Sequence, residues 1–285
     1  MVQVKTFFDK DTFTLTHVVY DQVSRDAIVI DPVLDLDTLA WSTQTHSLEI
    51  VDDFLQKEQL TLHYVIDTHV HADHLSGMQY LKAKYGAPLV INSAITRVQK
   101  TFSKIFHLAD FPVDGSQFDM LVDDGDILSA GTLIIHVLHT PGHTPACTSY
   151  RIDDMVFTGD TLFVPDIGTG RCDFPEGSAQ DLYHSVMQKI YTLSDSTRIF
   201  PGHDYPGQRE LVTETTVGKS KAENVDLPAS RSEEDYVTFM LRRDGKLAPP
   251  RLIYPSVQIN IAAGNLPNKE NNGMSYLKIP ISSRD

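Results

Sequence analysis

The sequence predicts an α+β fold: a four-layer sandwich of two β-sheets packed face to face, helices on the outer surfaces, and a C-terminal helical and strand extension. Three observations predict it. Strand-like runs fall into two groups, and helical stretches close each group. Ligand-type side chains collect at the ends of those runs, where a rigid scaffold presents loops. The chain has 285 residues, 41% hydrophobic and 22% charged, which suits one large core with an addition. We place the core at 1–205 and the extension, packed on it and completing its pocket, at 206–285.

The elements follow in order. TFTLTHVVYD alternates as a half-buried strand, QVSRD turns, and AIVIDPV returns as a more buried strand. Leu48, Val51, Phe54 and Leu55 are spaced for a helix over about 47–59. LHYVID is a short buried strand. After it, Leu75, Met78, Leu81 and Tyr85 line one helix face. APLVINS reads as a strand and SAITRVQKTFSKIF as a helix. Strands resume from LVDDGDIL through TLIIHVLHT, ACTSYRID and DMVFTGD. A helix is expected at about 178–193, then the strand TRIFPGHD, helices near 207–225 and 232–243, and a strand-like LIYPSVQINI before the tail. No repeat or low-complexity linker interrupts this order.

Composition excludes several functions. A formal net charge of −14 repels phosphate backbones, so nucleic acid is not an expected partner. No apolar run is long enough for a membrane span, and MVQVKTFFDK lacks the order of an export signal. Cys147 and Cys172 are too few for a disulfide framework, so we read both as reduced and the location as cytoplasmic. A homodimer stays open.

THVHADHLSG places His69, His71, Asp73 and His74 within six positions, directly after a predicted strand. Three further strand ends offer His143 in HTPGHTPAC, Asp160 in GDTLF and His203 in PGHDY. Imidazole and carboxylate are ligands for zinc, iron or manganese. Gly142, Gly159 and Gly202 beside the ligands allow tight turns. One such histidine alone would read as a hydrogen-bonded structural residue, and Asp73 alone as a helix N-cap. The set reads as a metal site. His17, His46, His63, His107, His136, His139 and His184 are read as structural.

H-x-H-x-D-H, then T-P-G-H-T, G-D and a final G-H resemble the metallo-β-lactamase superfamily, in order over residues 15–205. The resemblance implies an αβ/βα sandwich with metal at the edge between its sheets. In two-metal members one site would match His69, His71 and His143, the other Asp73, His74 and His203, bridged by Asp160. GTGRCDFP, with TPGHTPAC and HDY, is similar to the persulfide dioxygenase family, relatives of glyoxalase II. That resemblance implies one Fe(II) per chain on His69, His143 and Asp160, a facial triad with open positions. It implies glutathione persulfide and O2 as partners, oxidised to sulfite and glutathione. His71, Asp73, His74, His203 and Asp173 would then surround the ligands. Arg171 would hold a glutathione carboxylate and Tyr205 would contact substrate; a structural Arg171–Asp173 ion pair is the alternative. Zinc can occupy such ligands, as can a second metal. Many members of that family carry N-x-R-x-G near the C-terminus, where this chain has NIAAG with Ala262, leaving Arg242, Arg243 or Arg251 as substitutes. The rival reading is a glyoxalase II-type binuclear hydrolase of glutathione thioesters, whose metal would lower the pKa of water. A nuclease, a β-lactam hydrolase and a non-enzymatic metal protein follow further behind.

Overall fold

The computed structural model of the protein describes residues 1–281. Its strands are β1 (Val2–Phe8), β2 (Leu15–Asp21), β3 (Asp26–Ile30), β4 (Val33–Asp37), β5 (Ser42–Gln44), β6 (Thr61–Ile66), β7 (Leu75–Ser76), β8 (Leu89–Asn92) and β9 (Met120–Val122) in the first half. The second half adds β10 (Ile127–Ala130), β11 (Leu133–His139), β12 (Thr148–Ile152), β13 (Met155–Gly159), β14 (Arg198–Pro201) and β15 (Thr215–Thr216). The α-helices are α1 (His46–Lys57), α2 (Met78–Tyr85), α3 (Ile95–Ile105), α4 (Ala179–Gln188), α5 (Val217–Glu223), α6 (Glu233–Asp244) and α7 (Ile253–Asn260).

Two six-stranded sheets form, ordered β1-β2-β3-β6-β8-β9 and β10-β11-β12-β13-β14-β15. The first is antiparallel across β1, β2 and β3 and parallel from β3 to β9; the second is antiparallel except between β13 and β14. Parallel neighbours need crossovers, and α1, α2, α3 and α4 lie in those connections. Ile28, Ile30 and Ile66 of one sheet meet Ile135, Tyr150 and Phe157 of the other in one buried cluster. Outside the first sheet, Leu48, Leu55, Met78, Leu81 and Phe102 form a second cluster; outside the other, Leu182, Val186 and Tyr236 form a third. Helix, sheet, sheet, helix is the predicted layering. Among the described residues, no helix is long and apolar enough to cross a membrane.

Three local expectations change, and two open points are decided. LIYPSVQINI is the helix α7, not a strand: Ile253, Val257 and Ile261 recur every four residues on the cluster outside the first sheet. Pro255 fits because it lies in the first turn, where no intrahelical N–H partner is lost. Helix over 207–225 shrinks to α5, with Thr216 as its N-cap accepting from the Lys219 amide. Asp73 caps no helix, since α2 starts at Met78 after Gly77, and Leu75 belongs to β7 instead of that helix. The unassigned DLDTLAW segment helps build the hairpin β4–β5, which joins β7 in a small third sheet.

The extension divides across the sandwich. β15 pairs with β14, and α6 packs on α4; α7 instead packs near α1 and α2. Residues 282–285 of the expected extension lie outside the described residues.

Candidate metal centre

THVHADHLSG is a loop stretched between β6 and β7. Its framework is Asp31, at the end of β3, a buried residue in the left-handed region at φ 52°. One carboxylate oxygen accepts the Thr68 amide at 2.7 Å and His71 Nε2 at 3.0 Å; the other accepts the Thr68 hydroxyl at 2.8 Å. The Thr68 hydroxyl has then given its only proton away. It must accept from His69 Nδ1, 3.0 Å distant, so His69 Nε2 carries the lone pair. His71 is protonated on Nε2 by the same reasoning, leaving Nδ1 as its lone pair. A Cβ on Gly159, at φ 49°, would lie 2.3 Å from the Thr68 hydroxyl, so glycine there lets β13 close against this chain.

The other histidines are oriented from elsewhere. His143 Nδ1 donates to the Arg171 carbonyl at 2.6 Å, freeing Nε2. Gly142, at φ 147°, lets that loop press on α4, where a Cβ would meet the Leu182 backbone at 2.4 Å. His74 Nδ1 lies 3.2 Å from the Thr14 hydroxyl and 3.5 Å from Asp73. Thr14 continues to Thr12 at 2.9 Å, and Thr12 donates to Asp9 at 2.6 Å. Read from the carboxylate backward, each hydroxyl in this chain donates once and accepts once, and His74 Nδ1 donates into it. His203 stacks on Tyr205, ring centroids 5.8 Å apart and 15° from parallel.

The freed atoms converge. Asp160 Oδ2 is 3.6 Å from His143 Nε2 and 3.9 Å from His69 Nε2, while its Oδ1 is 3.4 Å from His203 Nε2. Asp73 is 3.3 Å from His203 Nε2. Two sets of ligand atoms result, each within 4.8 Å: His69, His143 and Asp160, and His71, Asp73, His74 and His203. His69 Nε2, His71 Nδ1, His74 Nε2, both His203 nitrogens and Asp160 Oδ1 are buried without a hydrogen-bond partner. Orphaned buried polar atoms are costly, and a cation is the partner this donor set fits. Burial, then the neighbouring imidazoles, holds His69 and His71 well below the usual histidine range, in the neutral state ligation needs.

Asp31, Asp67 and His71 also approach within 4.8 Å. Burial and the adjacent Asp31 push the Asp67 carboxyl well above the usual range.

All seven predicted ligand-type residues thus gather in one place. Arg171 and Asp173 lie beside it as an ion pair, with N···O distances of 2.5 and 2.6 Å, and Arg171 Nη1 donates to the Ala248 carbonyl at 2.8 Å. The bidentate edge expected to take a glutathione carboxylate is occupied. Tyr205 stands exposed at the rim, between Phe13 and Phe163. Cys147 and Cys172 are free and buried, and burial pushes the Cys147 thiol up to about 12. His139 stays outside the cluster, its Nε2 donating to the Pro145 carbonyl at 2.9 Å.

Four framework residues escaped the sequence reading: Asp31, Thr68, Thr14 and Asn260. Asn260, on α7, donates to the carbonyls of His71 and His74 and accepts the Ser76 amide, all at 2.8 Å. One side chain from the extension thereby clamps the metal loop. For Asp31 a signal existed, an acid directly after the buried run AIVI; for Asn260 nothing local gave one.

With this geometry in hand, the chain's relatives are informative. The metallo-β-lactamase superfamily model matches residues 12–203. A protein named "Probable metallo-hydrolase" from Burkholderia pseudomallei (strain 1710b) is 42% identical, over 98% of this chain and 99% of its own length. The mitochondrial persulfide dioxygenase ETHE1 of Homo sapiens is 32% identical over 92% of this chain and 89% of its own. The crystal structure of ETHE1 from Myxococcus xanthus superposes with a TM-score of 0.75 at 33% identity, covering 92% of this chain and all of that one. The chain belongs to the metallo-β-lactamase superfamily, in the branch that holds the persulfide dioxygenases.

Proposed function

We propose that the protein is a mononuclear non-haem Fe(II) persulfide dioxygenase that oxidises glutathione persulfide to sulfite and glutathione. The observation that carries this reading is the set His69, His143 and Asp160, two imidazoles and one carboxylate on separate strand ends with their ligand atoms mutually close. Two histidines and a carboxylate on one face suit ferrous iron and leave positions open. Fe(II) supplies the one-electron chemistry that lets dioxygen react with a sulfur compound. The balance is one persulfide, one O2 and one water giving one thiol, one sulfite and two protons. Thr68 and the Arg171 carbonyl fix the histidine tautomers, and Asp31 holds Thr68. His71, Asp73, His74 and His203 surround the triad.

The hydrolase reading has its own support: the second set keeps its orphaned atoms, as a binuclear site requires. Anaerobic purification, metal analysis and two assays separate them. One iron per chain and oxygen uptake with glutathione persulfide are expected. Two metals per chain, hydrolysis of a glutathione thioester and no oxygen uptake would sink the dioxygenase reading. Zinc displacing iron during expression is avoided by reconstituting metal-free protein with Fe(II).

A further inference from the structure

Residues 168–172 form a strap between β13 and α4, and its Arg171 carbonyl is the group that orients His143. Charged side chains of α6 and of the segment before it hold this strap by its backbone. The Thr169 amide donates to Asp226 at 3.0 Å and the Cys172 amide to Asp244 at 2.6 Å. Arg243 Nη1 donates to the Thr169 carbonyl at 3.1 Å, and Nη2 to the Gly170 carbonyl at 3.0 Å. The Gly170 amide donates to the Asp160 carbonyl at 3.1 Å. A Cβ on Gly170 would lie 2.1 Å from that carbonyl, so glycine there lets the strap close on the ligand strand end.

Arg243 also donates from Nε to Asp244 at 2.9 Å and from Nη1 to Asp226, so four of its five N–H donors are used inside the protein. Sequence left it open as a substitute for the arginine absent at Ala262; it is committed to the strap instead. The side chains of Asp226 and Asp244 are 7% and 4% exposed, and bonds to such shielded charges are stronger than neutral ones. The Arg171 carbonyl and the Cys172 amide belong to one planar trans peptide unit, so they point in opposite directions. Asp244 takes the amide on one side, which aims the carbonyl at His143 Nδ1 on the other, 2.6 Å away.

We infer that Asp244 and Arg243, at the end of α6, are positioning residues of the metal centre: through the 171–172 peptide unit they set the tautomer of His143 and leave its Nε2 lone pair facing Asp160. Asp244 orients the peptide unit, and Arg243 holds both Asp244 and the two preceding carbonyls. His69 takes its orientation from Thr68 and Asp31 and makes no use of α6. The extension thereby reaches both halves of the centre, with Asn260 of α7 at one and Asp244 and Arg243 of α6 at the other. The inference goes beyond the dioxygenase reading and holds for one metal or two, because His143 is a ligand in either.

The test reads imidazole nitrogen shifts of the metal-free protein at mildly alkaline pH, in the parent, Asp244→Ala, Arg243→Lys and, as a control on an exposed arginine of α6, Arg242→Gln. The parent and R242Q should show His143 as Nδ1–H. D244A should show a tautomer mixture at His143, and R243K a smaller change in the same direction, while His69 keeps its parent shifts in both. Zn(II) affinity, by chelator competition, should fall roughly tenfold or more in D244A, the usual cost of losing a group behind a metal-bound histidine, and stay at the parent value in R242Q. His143 shifts unaffected by D244A overturn the proposal. A joint change at His69 and His143 overturns it too, because general loosening of the fold would move both. Should D244A not fold, R243K is read against the same two outcomes.

Discussion

The two halves of the metal centre are built differently. His69, His143 and Asp160 sit on strand ends in the middle of the chain, and both imidazoles are fixed by short hydrogen bonds within the sandwich. The half made of His71, Asp73, His74 and His203 is closed by the ends of the chain. Thr14 holds His74, the Leu15 amide bonds the Gly202 carbonyl at 2.8 Å beside His203, and Asn260 clamps the loop from α7. His203 has no hydrogen bond on either nitrogen, and the Asp73 side chain is 29% exposed against 11% for Asp160. The first half is oriented by Asp31 and Thr68, just after β3 and β6, and by the Arg171 carbonyl. The second shares Asp31 and Asp160 with the first but depends in addition on Thr14 and Asn260, which could change with less disturbance to the first, a physical route by which one superfamily can host one-metal and two-metal chemistry.

Asp160 spans both halves, so Asp160→Ala is the strongest way to break the comparison. It should remove most bound metal from either half, read by metal analysis after dialysis. Full metal content would show that Asp160 is not a ligand.

Asn260→Ala tests dependence on the chain end. It leaves two buried carbonyls and one amide without their partner, each omission costing about 1–3 kcal/mol before relaxation. The metal-free protein should lose about 3 kcal/mol in denaturant unfolding, and metal bound to the His71–His74 side should weaken more than metal on His69. A loss below about 1 kcal/mol would mean that Asn260 does not clamp the loop.

Thr14→Val is gentler, a near-isosteric loss of one hydroxyl. It should leave the fold intact and cut the chain from Asp9 to His74. In metal-free protein the imidazole nitrogen shifts of His74 should report Nδ1–H in the parent, a tautomer mixture in Thr14→Val, and the parent pattern again in Thr14→Ser. Shifts unaffected by the valine would remove Thr14 from this role.

The ligands were legible because they are chemically rare groups in short motifs at strand ends. His69, His71, Asp73 and His74 could be found without knowing any contact. The residues that orient them are ordinary Asp, Thr and Asn; apart from Thr68 on its neighbour His69, their bonds span 37 to 189 positions. Their meaning exists only after folding. Layering was legible from the order of periodic segments. α7 was misread because Ile, Val and Tyr dominate LIYPSVQINI and favour strands locally. The four-residue recurrence of Ile253, Val257 and Ile261 was present in the same letters, and burial against the first sheet's helices decided between the two. Arg171 was left between two readings for a related reason: sequence shows that Asp173 is near but not that it meets the guanidinium's paired edge.

A last test sharpens the comparison through pH. His17, on β2, is buried; its Nε2 donates to the Pro201 carbonyl at 2.9 Å, two residues before His203, and its Nδ1 accepts from the Thr6 hydroxyl at 3.0 Å. Both bonds suit the neutral ring, and burial lowers its pKa from 6.5 to about 4. The folded pKa is depressed for a base, so the unfolded chain binds this proton first. The contribution is therefore fully present above about 6.5 and declines as pH falls towards 4, by about 3 kcal/mol in all. His17→Gln has nothing to titrate there. The stability gap between parent and variant, followed by denaturant unfolding of metal-free protein, should narrow or reverse by about that amount between pH 7 and pH 4. Parallel curves would mean that the β2 anchor of the His203 strand end does not depend on a neutral His17.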